Sequence, residues 1–154
     1  MKNYCNICNS SNNINIYRGI IKCKTCTHCF ADISIDHYEL KKIYKKNYFF
    51  GEEYLNYQND KNIIIKNFNL RLNKLKKYFN FNDKSLLEIG SAYGYFLDLI
   101  KNDFKHVSGV EISEDCLNFC AENYNFKTYD FVEFENKLNS KYDIFCLWDV
   151  IEHL

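Results

Sequence analysis

The chain has 154 residues, enough for one domain or for a small domain joined to part of a larger one. Its 47% hydrophobic and 18% aromatic content excludes a disordered chain, and no apolar run reaches the length of a membrane span. The net charge of zero hides an asymmetry: residues 1–80 hold 14 Lys/Arg against 6 Asp/Glu, and residues 81–154 hold 6 against 14. A basic front half can signal an acidic partner, but a solvated Lys- and Asn-rich surface is the plainer reading, since only two arginines occur in the whole chain.

The first residues carry no apolar signal core, so a cytoplasmic protein with reduced thiols is expected. Five of the eight cysteines fall in the first 29 residues: Cys5-x2-Cys8, a spacer of 14, then Cys23-x2-Cys26-x2-Cys29. Paired Cys-x2-Cys turns can aim four thiolates at one tetrahedral ion, about 2.3 Å from each sulfur. Cys5, Cys8, Cys23 and Cys26 are the ligands expected; Cys29 in place of Cys26, or His28, remains the alternative. Four thiolates leave no open coordination position, so the Zn2+ expected here is structural. It would hold together a segment too small to build its own core.

Residues 36–58 are rich in aromatic side chains, with helix expected at 37–47 and a turn at Gly51. Rings interleaved with Lys41, Lys42, Lys45 and Lys46 could stack on nucleobases. Packing as a lid is the preferred reading. Asp60 is placed to cap a helix running to about residue 79, with Ile64, Phe68, Leu72, Leu75 and Phe79 as its core-facing stripe.

The stretch Ser85 to Gly94 reads as a buried strand, a tight glycine turn and a helix start. Tyr93, Phe96, Leu97 and Ile100 then fall on one helical face. Glu88 ends this strand, and Glu111 ends the next, at 106–111. An acid at the end of a second strand can accept both ribose hydroxyls of a nucleoside. The dinucleotide fingerprint G-x-G-x-x-G is not met, because Ala92 and Tyr95 fill its second and third glycine positions. An acid ahead of the glycines suits a ligand with an ammonium and a sulfonium better than a pyrophosphate. After Glu111, Ser113 is a plausible N-cap for a helix whose apolar face is Leu117, Cys120, Ala121 and Tyr124. Strands at 125–129 and 142–148 follow, with Asp130-Phe131 after the first and Asp149-Val150-Ile151-Glu152-His153 after the second.

Glu88-Ile89-Gly90-Ser91-Ala92-Tyr93-Gly94 resembles motif I of the class I S-adenosylmethionine-dependent methyltransferases, acid-x-Gly-x-Gly-x-Gly, with Ala92 at the middle glycine. Glu111 matches the ribose-binding acid of that family's motif II, and Asp130-Phe131 its adenine-contacting pair. The resemblance implies a Rossmann-like α/β fold that binds S-adenosyl-L-methionine. Its cofactor site would be formed by Glu88, Gly90, Ser91, Ala92, Gly94, Tyr95, Glu111, Ile112, Asp130, Phe131 and Trp148. Some small-molecule methyltransferases of this kind begin with a Cys-x2-Cys…Cys-x2-Cys-Gly zinc-binding module of this size, and here Thr27 stands where the glycine is usual.

Asp149-x-x-Glu152-His153 has the residue types of a metal site or an acid/base group. It is similar to the acid-x-x-Glu-His of quinone-ring and small-RNA 3′-end methyltransferases, which implies that these residues hold a divalent ion or poise the acceptor oxygen, with His153 the candidate catalytic base. The organisation expected is a zinc-binding module at 1–35, a helical linker and lid at 36–80, and the N-terminal half of a methyltransferase domain at 81–154. A complete sheet of that family carries more strands than the four read here. A C-terminal half or a second chain is therefore expected to complete it, and the acceptor is expected to be a small molecule. The alternatives are a non-catalytic module that uses zinc and the basic half to hold nucleic acid, which the charge pattern disfavours, and an inactive methyltransferase remnant.

Overall fold

The computed structural model describes residues 4–33, 36–136 and 141–151. The chain divides into two compact units, Met1–Leu40 and Lys41–Leu154.

The first unit is a three-stranded antiparallel meander of β1 (Asn13–Tyr17), β2 (Ile20–Cys23) and β3 (Cys29–Ala31), in that spatial order. Its apolar interior amounts to Cys5, Ile21, Cys23 and Phe30, with Cys26 half-buried against them. So few side chains cannot offset the chain entropy of an isolated fold of this size, and a cross-link is needed.

Helix α1 (His37–Ile43) carries the boundary between the units. In the second unit a short irregular helical turn, Tyr48–Glu52, bends at Gly51 (φ +106°). Helix α2 (Lys61–Leu75) follows. Asp60 stands at its N-cap position without a side-chain capping bond; its carbonyl accepts the amides of Ile63 and Ile64 instead. The helix ends four residues short of the expected position, because Tyr78 and Phe79 both turn back onto the Leu75 carbonyl. Phe68 and Leu72 are buried, whereas Phe79 is half-exposed and drops out of the expected stripe.

The sheet has the order β6-β5-β4-β7 and every pairing is parallel. Its strands are β4 (Ser85–Ile89), β5 (His106–Glu111), β6 (Lys127–Asp130) and β7 (Ile144–Cys146). Helices α3 (Tyr95–Ile100), α4 (Glu114–Asn123) and α5 (Phe131–Glu135) make the connections. Leu86 and Leu87 are fully buried, as a strand covered on both faces requires. Tyr93, Phe96, Leu97 and Ile100 all enter the core, and Phe68 of α2 packs on Phe96 with ring centres 5.2 Å apart. On α4 the buried face is Cys116 and Cys120 with Phe119 packed beside them; Ala121, expected inside, is exposed. Strand β7 is shorter than expected. The Asp143 amide still donates to the Ser85 carbonyl at 3.1 Å while its carboxylate accepts the Ser85 amide and hydroxyl, both at 2.8 Å, and the chain turns after Leu147. Because successive connections leave β4 in opposite directions, towards β5 and back across to β7, its carboxyl end lies at the crevice where α/β sheets bind ligands.

Among the described residues, no helix is long and apolar enough to cross a membrane. Replacing Phe96 by alanine, at a site 1% exposed, is expected to cost about 3–5 kcal/mol, read as a shift of the urea unfolding midpoint of the second unit.

Candidate functional site

Glu88, Glu111 and Asp130 stand at or next to the carboxyl ends of three adjacent strands, β4, β5 and β6. The turn after β4 is fastened to β5, since Gly90 and Ser91 both donate to the Val110 carbonyl, at 2.8 and 3.1 Å. Gly90 takes a left-handed conformation (φ +74°), and a Cβ there would collide with Val150 in the turn after β7. Ala92 is left-handed too (φ +44°), although it carries a Cβ. Such a residue stores about 1–2 kcal/mol, which explains why the motif favours glycine at this point.

Glu111 holds this conformation in place. One carboxylate oxygen accepts the Ala92 amide at 2.7 Å, and the other accepts Ile112 and Ser113, both at 2.8 Å. The side chain is 6% exposed; burial raises its pKa and the three amides pull it back.

Glu88 is 2% exposed and its Oε2 has no hydrogen-bond partner. Burial, and then the charge of Glu111, push its carboxyl well above the ordinary carboxylate range, while Arg71 acts the other way. In the parallel register Glu88 lies opposite Gly109, two residues before Glu111 on the neighbouring strand. Asp130 caps α5 through the Val132 amide at 2.9 Å and pairs with Lys41 at 2.7 Å.

The other expected residues divide by where their side chains lie. The Ser91 hydroxyl sits against Gly109 of β5, beneath the loop. Tyr95 is buried, its ring stacked on Tyr57 at 5.8 Å. Ile112 contributes its amide to Glu111, and Phe131 is 42% exposed beside Asp130. Gly94, also left-handed at φ +69°, leaves room for Cys120 and Phe126. Trp148 packs edge-on to Phe96, and its buried indole Nε1 has no hydrogen-bond partner. Glu152 and His153 lie outside the described residues.

The apolar pattern of α2 does not single out Arg71. Its guanidinium lies over the rings of Trp148 (5.0 Å) and Phe68 (5.6 Å), and one of its nitrogens meets both carboxylate oxygens of Asp149, at 3.0 and 3.2 Å. The usable signal was composition: an arginine in so lysine-rich a stretch marks a place where a planar, stacking cation is needed. The aromatic segment packs on the core of the second unit, with buried Phe49 edge-on to Tyr93 at 5.4 Å. Burial first, then the neighbouring Tyr54 and Tyr44, push Tyr48 up to about 12, while Tyr57 rises by burial, Tyr54 and Glu88.

In the first unit, the ligand atoms of Cys5, Cys8, Cys23 and Cys26 all lie within 4.8 Å of one another. Cys5 and Cys26 are 3.5 Å apart, and Cys8 and Cys23 3.6 Å. Four sulfurs around a tetrahedral zinc would be roughly 3.8 Å apart, given Zn–S of about 2.3 Å. The two knuckles repeat one pattern of amide donation. Cys8 and Ile7 donate to Cys5, and Cys26 and Thr25 to Cys23. Ser10 donates to Cys8, and His28 to Cys26. Asn9 and Thr27 take matching left-handed conformations, φ +55° and +66°, immediately after each pair. Cys29 is exposed, 3.8 Å from the Thr27 carbonyl, and stands outside the group. The four-cysteine cluster fits a zinc-binding module.

A family model described as a methyltransferase domain matches residues 61–154, and the chain belongs to that family. Among solved structures, a SAM dependent methyltransferase from Archaeoglobus fulgidus is 27% identical with a TM-score of 0.50. The match covers 71% of this chain and 46% of that one, so this chain spans less than half the length of its structural relative. No curated protein matches it.

Ala92→Gly removes the left-handed strain and adds the conformational freedom of glycine to the unfolded chain. The balance is an expected gain of about 0.5–1 kcal/mol, measured by chemical denaturation.

Proposed function

We propose that the second unit is the cofactor-binding half of an S-adenosyl-L-methionine-dependent methyltransferase, acting on a small-molecule acceptor, and that the first unit is held by a structural Zn2+. The observation that carries the reading is Glu88 Oε2, buried and unpaired beside Glu111 at the carboxyl end of β4. An orphaned buried acid costs free energy unless a ligand supplies the missing donor or cation. The residues present fit the cofactor.

In this reading Glu88 takes the ammonium of the methionine moiety, and the charge of Arg71 favours its carboxylate form. Glu111 still has acceptor capacity on Oε2 for the ribose hydroxyls. Asp130 and Phe131 serve the adenine, Asp130 after exchanging or sharing its bond to Lys41. The backbone of Gly90, Ser91, Ala92 and Gly94 forms the floor, with Tyr95, Ile112 and Trp148 as its supports. The cofactor, once bound, supplies a sulfonium methyl group for in-line transfer to an acceptor nucleophile. The residues of this chain contribute alignment and exclusion of water, through the rings of Tyr48 and Tyr57. His153 is the proposed base for an acceptor that must lose a proton. Because this chain spans 46% of the related structure, the acceptor pocket is assigned to a C-terminal half or a second chain that pairs with β7. We place the protein in the cytoplasm, where the four thiols are kept reduced for the metal.

Calorimetric titration of S-adenosylmethionine into the chain should show one saturable site. Glu111→Gln should weaken it about 10- to 100-fold, the loss of one or two charge-assisted hydrogen bonds. A folded chain that takes up no cofactor at millimolar levels overturns the reading. Metal analysis should find one zinc per chain, lost in Cys23→Ser and retained in Cys29→Ser, the reverse of what ligation by Cys29 would give.

A further inference from the structure

Glu88 and Glu111 are both buried at the carboxyl edge of the sheet, yet they are supported very differently. Glu111 receives three backbone amides. Glu88, between Leu87 and Ile89 on the central strand, has an Oε2 with no donor and almost no contact with solvent.

Its surroundings come from five elements. β5 brings the Glu111 carboxylate, and β7 brings Cys146, a thiol pushed up to about 12 mainly by burial. α4 brings Cys120, also at about 12 for the same reason. The segment before α2 brings Tyr57, which burial keeps as a neutral phenol. α2 brings Arg71, whose guanidinium is already shared with Asp149 at 3.0 Å. Near neutral pH the neighbours of Glu88 are therefore one anion, two neutral thiols, a phenol and one committed cation. Of these groups only Arg71 favours a second buried negative charge, and no donor reaches Glu88 Oε2.

We propose that Glu88 is a protonated carboxyl in the ligand-free chain, and that a cationic cofactor expels this proton, so that cofactor capture and proton release are a single coupled event. The step balances: the Glu88 carboxyl loses its O–H proton to solvent, and the carboxylate left behind pairs with the incoming ammonium. The inference rests on the cofactor reading above and deepens it. The neutral acid lets the empty crevice avoid two facing negative charges. The sign follows from linkage. Binding favours the deprotonated form, so affinity rises with pH, approaching tenfold per unit while free Glu88 is protonated. It stops rising where free Glu88 ionises, and falls again once the ligand's own amine deprotonates, at about pH 8.

The test is calorimetry of the full chain with S-adenosylmethionine at about pH 6.5, where the ligand amine is charged. It is run in two buffers, phosphate and imidazole, that differ in heat of protonation. Between roughly half and one proton should be released per ligand bound. Glu88→Gln should bind about 10- to 100-fold more weakly and release none, whereas Glu111→Gln should still release it. Infrared spectra give a second reading that needs no variant: the carbonyl band of a buried protonated carboxyl should be present in the free chain and vanish as ligand saturates. Binding whose heat does not depend on buffer overturns the inference and leaves the cofactor reading standing. So does release that survives in Glu88→Gln and is lost in Glu111→Gln. A folded chain that binds no cofactor at all overturns both.

Discussion

The Glu111 carboxylate is the fastening on which the second unit's site depends. It ties the amide of Ala92, in the turn after β4, to the amides of Ile112 and Ser113, which lead into α4. A single buried side chain thus ties together the two strand ends. The backbone accepts a left-handed alanine to stay within its reach. That local strain is held by burial and by three charge-assisted bonds, each of a strength well above an ordinary neutral hydrogen bond. The same acid imposes a constraint on its neighbour. Because Glu111 is anchored by amides and not by a cation, its charge remains uncompensated, and Glu88 experiences it through a medium that screens poorly.

The first unit solves a similar geometric problem with different chemistry. It has too few apolar side chains to fix its loops, so each Cys-x2-Cys turn converges backbone amides on its sulfurs and brings four of them together. Asn9 and Thr27 adopt left-handed backbone to make this possible, as Ala92 does in the second unit. The recurrence is physical. A chain that must turn sharply enough to aim successive amides inward enters the left-handed region, and where glycine is absent another contact has to hold it there.

Much of this was legible in the residues, and the failures have identifiable causes. The strand carrying Leu86 and Leu87 and the helix face of Tyr93, Phe96, Leu97 and Ile100 were readable because burial on both faces leaves an uninterrupted apolar record. The set Cys5, Cys8, Cys23 and Cys26 followed from knuckle spacing, while the choice against Cys29 needed the fold, since only the β3 ladder shows that sulfur carried outward. Phe79 and Ala121 misled because periodicity continues past the point where hydrogen bonding ends a helix or packing selects the opposite face. Arg71 was invisible to periodicity: its partners Trp148 and Asp149 lie far along the chain, and a long-range stack leaves no local pattern. The short length of β7 was missed for a related reason. Asp143 commits its hydrogen bonds to Ser85 of the neighbouring strand, which nothing in residues 142–148 foretells.

Buried polar groups are normally satisfied, so those left unsatisfied mark where a structure is waiting for something. In the second unit the Ser91 and Ser113 hydroxyls, Glu88 Oε2 and Trp148 Nε1 are unsatisfied; the last two belong to β4 and the turn after β7, on the carboxyl side of the sheet. Packing alone would have selected apolar side chains at both places, because an isosteric apolar core is often as stable as a buried ion pair or better. An unsatisfied buried polar group costs free energy, so Glu88 and Trp148 are carried at the expense of stability. The fold around Phe96 and Leu97 is strong enough to carry these unmet polar groups, and a donor reaching Glu88 Oε2 or an acceptor reaching Trp148 Nε1 would complete their hydrogen bonding.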